Sequence, residues 1–147
     1  MKKLIIFDFA GTINCPVERE ESLIEVIKQL HLKYYLSIVS STSSEYIKNY
    51  LEDKNILTNF EEILGADPLF DKTERIQKLI KKYSLDPGEV VYVTDTAGDI
   101  FETKNSGVKS VGVTWGLDDR ATLVKEKPTA IIDYPSELID VVGNMLS

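Results

Sequence analysis

Short runs of apolar residues alternate with helical patterns along this chain, and that alternation most limits its possible folds. Six runs are typical of strands in a buried sheet, at residues 4–7, 34–39, 63–64, 90–93, 111–113 and 130–132. Helical spacing predicts helices around residues 23–30, 46–51, 76–83, 99–104, 121–124 and 138–145. Strands that alternate with helices indicate βαβ units. We therefore expect one three-layer α/β domain over residues 1–147, with a mostly parallel sheet.

Bulk composition narrows the possible functions. The chain has 147 residues and a formal net charge of −7, which argues against a broad nucleic-acid-binding surface. Its single cysteine, Cys15, cannot form an internal disulfide, and its single histidine, His31, excludes a mechanism built on a histidine pair. The start, MKKLIIFDF, resembles a signal peptide until Asp8 ends the apolar run after four residues. We expect a cytoplasmic protein without a membrane-spanning segment.

Polar residues follow the predicted strands where each strand ends. Ligands of open parallel sheets bind at the carboxyl ends of the strands, so these positions test the fold for a site. A carboxylate, a hydroxyl cluster, an ammonium group and two further carboxylates follow successive elements: Asp8, then Ser40, Ser41 and Thr42, then Lys72, then Asp95 and Asp99. The sequence therefore predicts one polar site at a single edge of the sheet.

This set of groups suits phosphoryl transfer. Asp8 and Asp95 are carboxylates on neighbouring strand ends, and hard cations such as Mg²⁺ prefer oxygen ligands of this kind. Lys72 supplies a charge that stabilises the transferring group, and Ser40 supplies a hydrogen-bond donor. Backbone N–H groups of the loop after the first strand are also expected to face phosphate. We expect five residues to bind the substrate phosphate: Gly11, Thr12, Ser40, Ser41 and Lys72.

The segments that carry these residues resemble a known family. FDFAGT, the strand end IVSS, Lys72 and VTDTAGD are similar to the four signature motifs of the haloacid dehalogenase (HAD) superfamily, in their usual order. The resemblance covers nearly the whole chain. Residues 67–116 are particularly similar to phosphoglycolate-phosphatase-like members, in which Gly is more common where Thr94 stands. A Rossmann-like, HAD-type domain is what this resemblance implies.

The resemblance also implies roles for particular residues. Asp8 would be the nucleophile that is transiently phosphorylated, which makes the chain a phosphohydrolase. Mg²⁺ would be bound by Asp8, the carbonyl of Ala10 and Asp95. Asp99 would act on the metal directly or from the surrounding shell, and Lys72 would take part in catalysis.

Ala10 is the main departure from the family pattern, which usually has a second aspartate there. That aspartate protonates the leaving oxygen and activates water, and general acid–base help is worth roughly a hundred- to ten-thousand-fold. Three interpretations stay open: a phosphonate-cleaving enzyme, a weak or non-catalytic phosphate binder, or a laboratory substitution that traps a complex. The phosphonatase interpretation is disfavoured, because that branch takes a Schiff-base lysine from a cap domain.

The second departure is the absence of a substantial cap domain. Only one helix fits between Thr12 and the strand at 34–39, and nothing domain-sized fits between Lys72 and Asp95. An uncovered site indicates a macromolecular phosphate, a neighbouring subunit that acts as the lid, or loose specificity. The expected partner is a phosphorylated substrate, with a homo-oligomer as one way to cover the site.

Simpler roles compete for several of these residues. Ser43 or Ser44 is a plausible helix N-cap, Asp99 fits an N-cap as well as a site residue, and Trp115 fits the core or the rim of the site. A receiver domain also places acidic residues, a hydroxyl and a lysine on a parallel sheet. Its phosphoacceptor follows the third strand, whereas Asp8 follows the first, so that fold is rejected. A non-enzymatic regulatory phosphate binder remains the functional alternative.

Overall fold

A six-stranded, fully parallel sheet forms the centre of the molecule in the computed structural model, which describes residues 2–66 and 71–147. Its strands are β1 (Leu4–Phe7), β2 (Tyr35–Val39), β3 (Glu62–Leu64), β4 (Val90–Thr94), β5 (Lys109–Val113) and β6 (Ala130–Ile132). They lie in the order β3-β2-β1-β4-β5-β6. The predicted α/β fold class is confirmed, and each predicted strand is present within two residues of its expected bounds.

In the described part of the chain, six α-helices cover the two faces of the sheet. They are α1 (Val17–His31), α2 (Ser44–Asp53), α3 (Lys72–Lys82), α4 (Ala97–Thr103), α5 (Arg120–Lys125) and α6 (Glu137–Met145). Successive side chains of β1 point to opposite faces of the sheet, and each face has its own hydrophobic core. Ile5 and Phe7 face the larger core, to which α1, α2 and α6 contribute, whereas Leu4 and Ile6 pack with apolar residues of α3. The sheet is therefore buried on both faces, which explains why β1 is apolar throughout.

The two central strands, β1 and β4, place the site. β1 pairs with β2 on one side and with β4 on the other, with Phe7 opposite Ile38 and Val93. Since all three strands run parallel and in this register, their carboxyl ends meet at one edge. Asp8, Ser40 and Asp95 directly follow the ends of β1, β2 and β4, as expected from the sequence.

The capping residues mark where α2 and α4 begin more accurately than the spacing of apolar residues does. Ser43 caps α2 by accepting a hydrogen bond from the Tyr46 N–H at 3.2 Å, which confirms one of the two predicted caps. The interpretation of Asp99 as an N-cap is wrong. Thr96 caps α4, and its hydroxyl accepts from the Asp99 N–H at 3.2 Å, so Asp99 lies inside the first turn. The helix consequently begins at Ala97, two residues earlier than predicted.

In the family that the sequence resembles, two segments could hold a cap domain: Thr12 to β2, and Lys72 to Asp95. The described residues of both contain no domain-sized insertion. A short loop and α1 alone connect β1 to β2, and α3 with a 3₁₀ turn at Pro87–Glu89 connects Lys72 to β4. Residues 67–70, which precede the Lys72 helix in the sequence, lie outside the described residues. Across 2–66 and 71–147, none of the helices is long and apolar enough to cross a membrane.

Candidate active site

Asp8 lies at the carboxyl end of β1, largely removed from solvent. Only 7% of its surface is exposed, and its Oδ1 accepts a hydrogen bond from the Phe9 N–H at 2.8 Å. Burial is the main cause that raises the pKa of Asp8 to about 7. The Lys72 ammonium and the Phe9 N–H oppose that rise, whereas the charges of Asp99 and Asp95 add to it. Asp8 is therefore electrostatically linked to the other predicted site residues.

The loop after Asp8 is held by its own backbone. The Phe9 carbonyl accepts from the N–H groups of Thr12, Ile13 and Asn14, and the Gly11 N–H donates to the Asn14 carbonyl at 3.1 Å. The N–H groups of Gly11 and Thr12 both have acceptors within the loop in this conformation. Binding of phosphate by these two residues stays a prediction.

Asp95 explains why the loop needs Gly11 and Thr12. Thr12 is completely buried, and its hydroxyl donates to Asp95 Oδ1 at 3.0 Å. Gly11 has a φ of +79°, and a Cβ there would lie 2.1 Å from Asp95 Oδ2. Gly116 approaches from the other side, where a Cβ would lie 2.3 Å from the Asp95 Cβ. The Asp95 carboxylate therefore occupies space that only glycine leaves free.

The second carboxylate of this segment, Asp99, is bonded at both oxygens. Its Oδ1 lies 2.7 Å from Lys72 Nζ, and its Oδ2 accepts from the Thr94 hydroxyl at 2.8 Å. Lys72 Nζ also lies 5.3 Å from the centre of the Tyr92 ring. Through these contacts Asp99 holds the Lys72 ammonium at the edge of the sheet. Direct ligation of a metal by Asp99 stays a prediction.

Glu102 holds the backbone N–H of Lys72, and the sequence analysis did not identify it as a site residue. Its side chain accepts from the Lys72 N–H at 3.2 Å, and its carbonyl accepts from the Thr73 hydroxyl at 3.2 Å. Glu102 follows Asp99 by three residues, so one face of α4 holds both the backbone and the side chain of Lys72. That three-residue spacing was the available signal in the sequence.

Ser40 directly follows β2, and its N–H, carbonyl and hydroxyl oxygen all form hydrogen bonds. Its N–H donates to the Leu64 carbonyl at 3.0 Å, and its hydroxyl oxygen accepts from the Thr42 N–H at 3.1 Å. The Ser40 carbonyl accepts from Arg75 Nη1 at 2.9 Å. Because the hydroxyl oxygen acts as an acceptor for Thr42, its own proton remains to donate to a ligand. Ser41 is exposed beside it.

Ala10 and Trp115 define the surroundings of Asp8. Ala10 is exposed at the start of the loop and forms a backbone bridge with Asn14. Its methyl group supplies no acid or base. Trp115 is 8% exposed, and its Nε1 donates to the Thr12 carbonyl at 3.0 Å, so it serves both the core and the rim of the site.

An open cavity of about 420 Å³ lies at this edge, lined by Ser41, Ala66, Lys72, Arg75, Asp99 and Glu102. A larger groove of about 910 Å³ lies between α1 and α6, away from Asp8 and Asp95. Volume alone therefore does not locate the site. The convergence of carboxylates, Lys72 and Ser40 at the strand ends does.

The donor set at this edge suits Mg²⁺. Within 2–66 and 71–147 no three His, Cys, Asp or Glu side chains group closely enough to hold a metal by themselves. Mg²⁺ does not need such a cage, since it keeps several waters and takes one or two carboxylates together with phosphate oxygens. Asp8 and Asp95 could provide these carboxylates, and the sequence predicts the Ala10 carbonyl as a third protein oxygen. A cation would also offset the cost of burying the ionised form of Asp8.

In parallel α/β sheets, a polar edge at the carboxyl ends of the strands is the usual place for a ligand. The haloacid dehalogenase-like hydrolase family matches the chain over residues 15–113, about two thirds of its length, and the chain belongs to that family. The matched segment begins after Asp8 and Ala10. It therefore establishes the family but does not bear on Asp8 or Ala10.

Curated relatives are phosphatases of this family. A phosphoglycolate phosphatase of Synechococcus elongatus is 29% identical over 111 residues, which cover 76% of this chain and 52% of the relative. A pyrophosphatase, PpaX, of Bacillus cereus is 27% identical over 133 residues, which cover 88% of this chain and 62% of the relative. The chain thus spans about half the length of the phosphoglycolate phosphatase that it matches.

Solved structures confirm the fold. A haloacid dehalogenase-like family hydrolase from Streptococcus pneumoniae superposes with a TM-score of 0.81 at 16% identity, covering 96% of this chain and 98% of that chain. A predicted phosphoglycolate phosphatase from Haemophilus somnus superposes with a TM-score of 0.81 at 18% identity and the same coverage. At such low identity the agreement speaks for the fold alone.

Proposed function

We propose that this chain is a magnesium-dependent phosphohydrolase that acts through an aspartyl-phosphate on Asp8. The observation that carries the proposal is the position of Asp8: its buried carboxylate lies at the end of β1, under the influence of Lys72, Asp95 and Asp99. The phosphatases among its relatives support the same class of reaction.

Binding of phosphate would rest on Lys72 and Ser40. The Lys72 ammonium is restrained by Asp99 and offers positive charge to the phosphoryl oxygens. Ser40 offers its hydroxyl proton. Bound Mg²⁺, held by Asp8, the Ala10 carbonyl and Asp95, would neutralise the repulsion between carboxylate and phosphate.

The reaction would proceed in two displacements at phosphorus. An oxygen of the Asp8 carboxylate forms a bond to phosphorus while the bond to the leaving oxygen breaks, and the leaving group departs with the electron pair. Water then attacks the aspartyl-phosphate, which releases inorganic phosphate and restores the Asp8 carboxylate. Lys72 stabilises the charge on the transferring group in both displacements.

Ala10 limits which substrates would react. With a methyl group in that position, residue 10 cannot protonate the leaving oxygen or take a proton from water. Aryl and acyl phosphates should react, because their leaving groups depart as stable aryloxide or carboxylate anions. Alkyl phosphates should react poorly, because an alkoxide needs a proton to depart. The same observation favours the second candidate, a phosphate-binding regulatory protein without turnover.

The substrate is proposed only by class. Within the described residues Ala10 and Ser41 are exposed at the site. That exposure suits a small phosphorylated molecule, an exposed phosphate on a macromolecule, or a site closed by a second subunit. Phosphoglycolate and pyrophosphate are the first small substrates to test, given the relatives. We further propose that the protein acts in the cytoplasm.

Hydrolysis of p-nitrophenyl phosphate, with and without Mg²⁺, tests the proposal. The parent protein should release phosphate only with the metal, and Asp8→Asn should abolish release. Asp95→Asn should weaken magnesium binding in calorimetry, whereas Asp53→Asn, an exposed change on α2, should alter neither measurement. Phosphate binding without turnover in the parent would favour the regulatory protein.

A further inference from the structure

Arg75 is a buried cation next to the proposed phosphate site that no motif explains. It lies one turn after Lys72 on α3, and only 8% of its surface is exposed. Removing a guanidinium from water is costly, so such a group is expected to make specific hydrogen bonds. Its Nη1 donates to the Ser40 carbonyl at 2.9 Å.

That hydrogen bond restrains the peptide between Ser40 and Ser41. In a trans peptide the carbonyl and the following N–H point in opposite directions, and the described chain has no cis peptide bond. With the Ser40 carbonyl held by Arg75 of α3, the Ser41 N–H points away from Arg75. Within the described residues this N–H has no protein acceptor, and Ser41 is exposed at the site edge.

The Ser40 side chain is restrained by the same turn. Its hydroxyl oxygen accepts from the Thr42 N–H, and its own N–H donates to Leu64. The carbonyl is the one remaining backbone group of Ser40, and Arg75 completes the set. Arg75 and Lys72 also line the same cavity of about 420 Å³. One turn of α3 therefore carries both the ammonium group proposed to bind phosphate and the guanidinium that holds the residue after β2.

We propose that Arg75 is a positioning residue that orients the Ser40–Ser41 peptide so that the Ser40 hydroxyl and the Ser41 N–H bind phosphate together. The proposal rests on the proposed function, because it assigns Ser40 and Ser41 to phosphate. Arg75 acts through Ser40 and need not touch the substrate. Loss of a hydrogen bond to a charged group typically changes an equilibrium by about tenfold or more.

Binding of inorganic phosphate in the presence of Mg²⁺, measured by calorimetry on the full chain, tests this role without requiring turnover. Arg75→Met should weaken phosphate binding about tenfold or more, and Arg75→Lys should recover part of it because lysine retains a charged donor. Lys81→Met, which removes one positive charge from an exposed position of the same helix, should bind phosphate like the parent. Arg75→Gln replaces Arg75→Met in the comparison if the methionine variant does not fold.

Phosphate affinity equal to that of the parent in Arg75→Met or Arg75→Gln would overturn the proposal. So would equal losses in Arg75→Lys and Arg75→Met, which would assign the effect to packing. A parent protein that binds no phosphate would also overturn it. Failure of the proposed function alone looks different: phosphate binding would still depend on Arg75, while the parent and Ala10→Asp would not hydrolyse p-nitrophenyl phosphate.

Discussion

Lys72 Nζ and Asp99 Oδ1 lie 2.7 Å apart, in an ion pair that joins the first turn of α3 to the first turn of α4. The exposed fractions of the two side chains are 13% and 17%, so solvent screens this pair less than a surface pair. The other oxygen of Asp99 is held by Thr94. Asp99 therefore acts as a fixed anchor for the Lys72 ammonium.

A double-mutant cycle on this pair tests the anchoring role. Lys72→Met should reduce kcat/KM for p-nitrophenyl phosphate about a hundredfold or more, and Asp99→Asn about tenfold. If Asp99 acts through Lys72, the double variant should be no slower than Lys72→Met alone. Glu20→Gln, which breaks the Lys54–Glu20 pair at 2.8 Å elsewhere, should leave kcat/KM unchanged. Multiplied losses in the double variant would instead indicate an independent role for Asp99.

Gly11 should tolerate no side chain. Gly11→Ala would place a Cβ 2.1 Å from Asp95 Oδ2 at a φ of +79°, so we expect a loss of about 2 kcal/mol or more in the free energy of unfolding, together with loss of activity. Gly143→Ala is the matched control, since a Cβ there meets no atom within 4 Å in helix α6. It should stabilise the protein by about 0.5 kcal/mol. Urea denaturation measures both, and equal stability of the two variants would contradict this role for Gly11.

The residues of the sheet edge were predictable because strands and their ends leave local signals. The run LIIF followed by Asp8, and VVYVT followed by Asp95, show where buried strands stop. Parallel pairing then brings those ends together. Contacts between distant segments leave no such signal: the Thr12 hydroxyl reaches Asp95 across 83 positions of the sequence. For that reason the sequence does not reveal that Gly11 and Thr12 pack against Asp95.

Arg75 illustrates a second limit of the sequence. It occupies a helix of many charged residues, where a lone arginine is indistinguishable from a solvated position. Only the packing of α3 shows that Arg75 is buried and bonded to Ser40. Capping also depends on geometry: Thr96 and Asp99 both suit an N-cap, and the bond from the Asp99 N–H decides between them.

Restoring a carboxylate at Ala10 should change the substrate range. Ala10→Asp would supply the missing acid and base, so alkyl phosphate hydrolysis should rise about a hundredfold or more, and aryl phosphate hydrolysis should rise less. Asp8→Asn should abolish activity in both backgrounds. Steady-state rates for one aryl and one alkyl phosphate provide the comparison. Unchanged alkyl phosphate hydrolysis in Ala10→Asp would favour the phosphate-binding regulatory protein.

Cys15 should be a slow nucleophile in the folded protein. Burial, followed by the charge of Glu20, raises its pKa from 9.0 to about 11. The thiolate is the reactive form, so alkylation by iodoacetamide at pH 8 should be about a hundredfold slower than in the urea-unfolded chain. The unfolded-state rate should level off above about pH 10, roughly one unit above the ordinary thiol pKa of 9.0, whereas the folded-state rate should keep rising to about pH 11 or beyond. The same plateau in the folded and the unfolded protein would contradict the shift.

Direct detection of phosphate on Asp8 tests the central claim. The parent protein is mixed with p-nitrophenyl phosphate and Mg²⁺, quenched in acid, and analysed by peptide mass spectrometry. Because Ala10 leaves water without a base, the account predicts that one phosphoryl group accumulates on Asp8 and is removed by hydroxylamine. Asp8→Asn should carry none, and Ala10→Asp should carry less. An unmodified Asp8 in a protein that hydrolyses this substrate, or equal labelling of Asp8→Asn, would contradict the account.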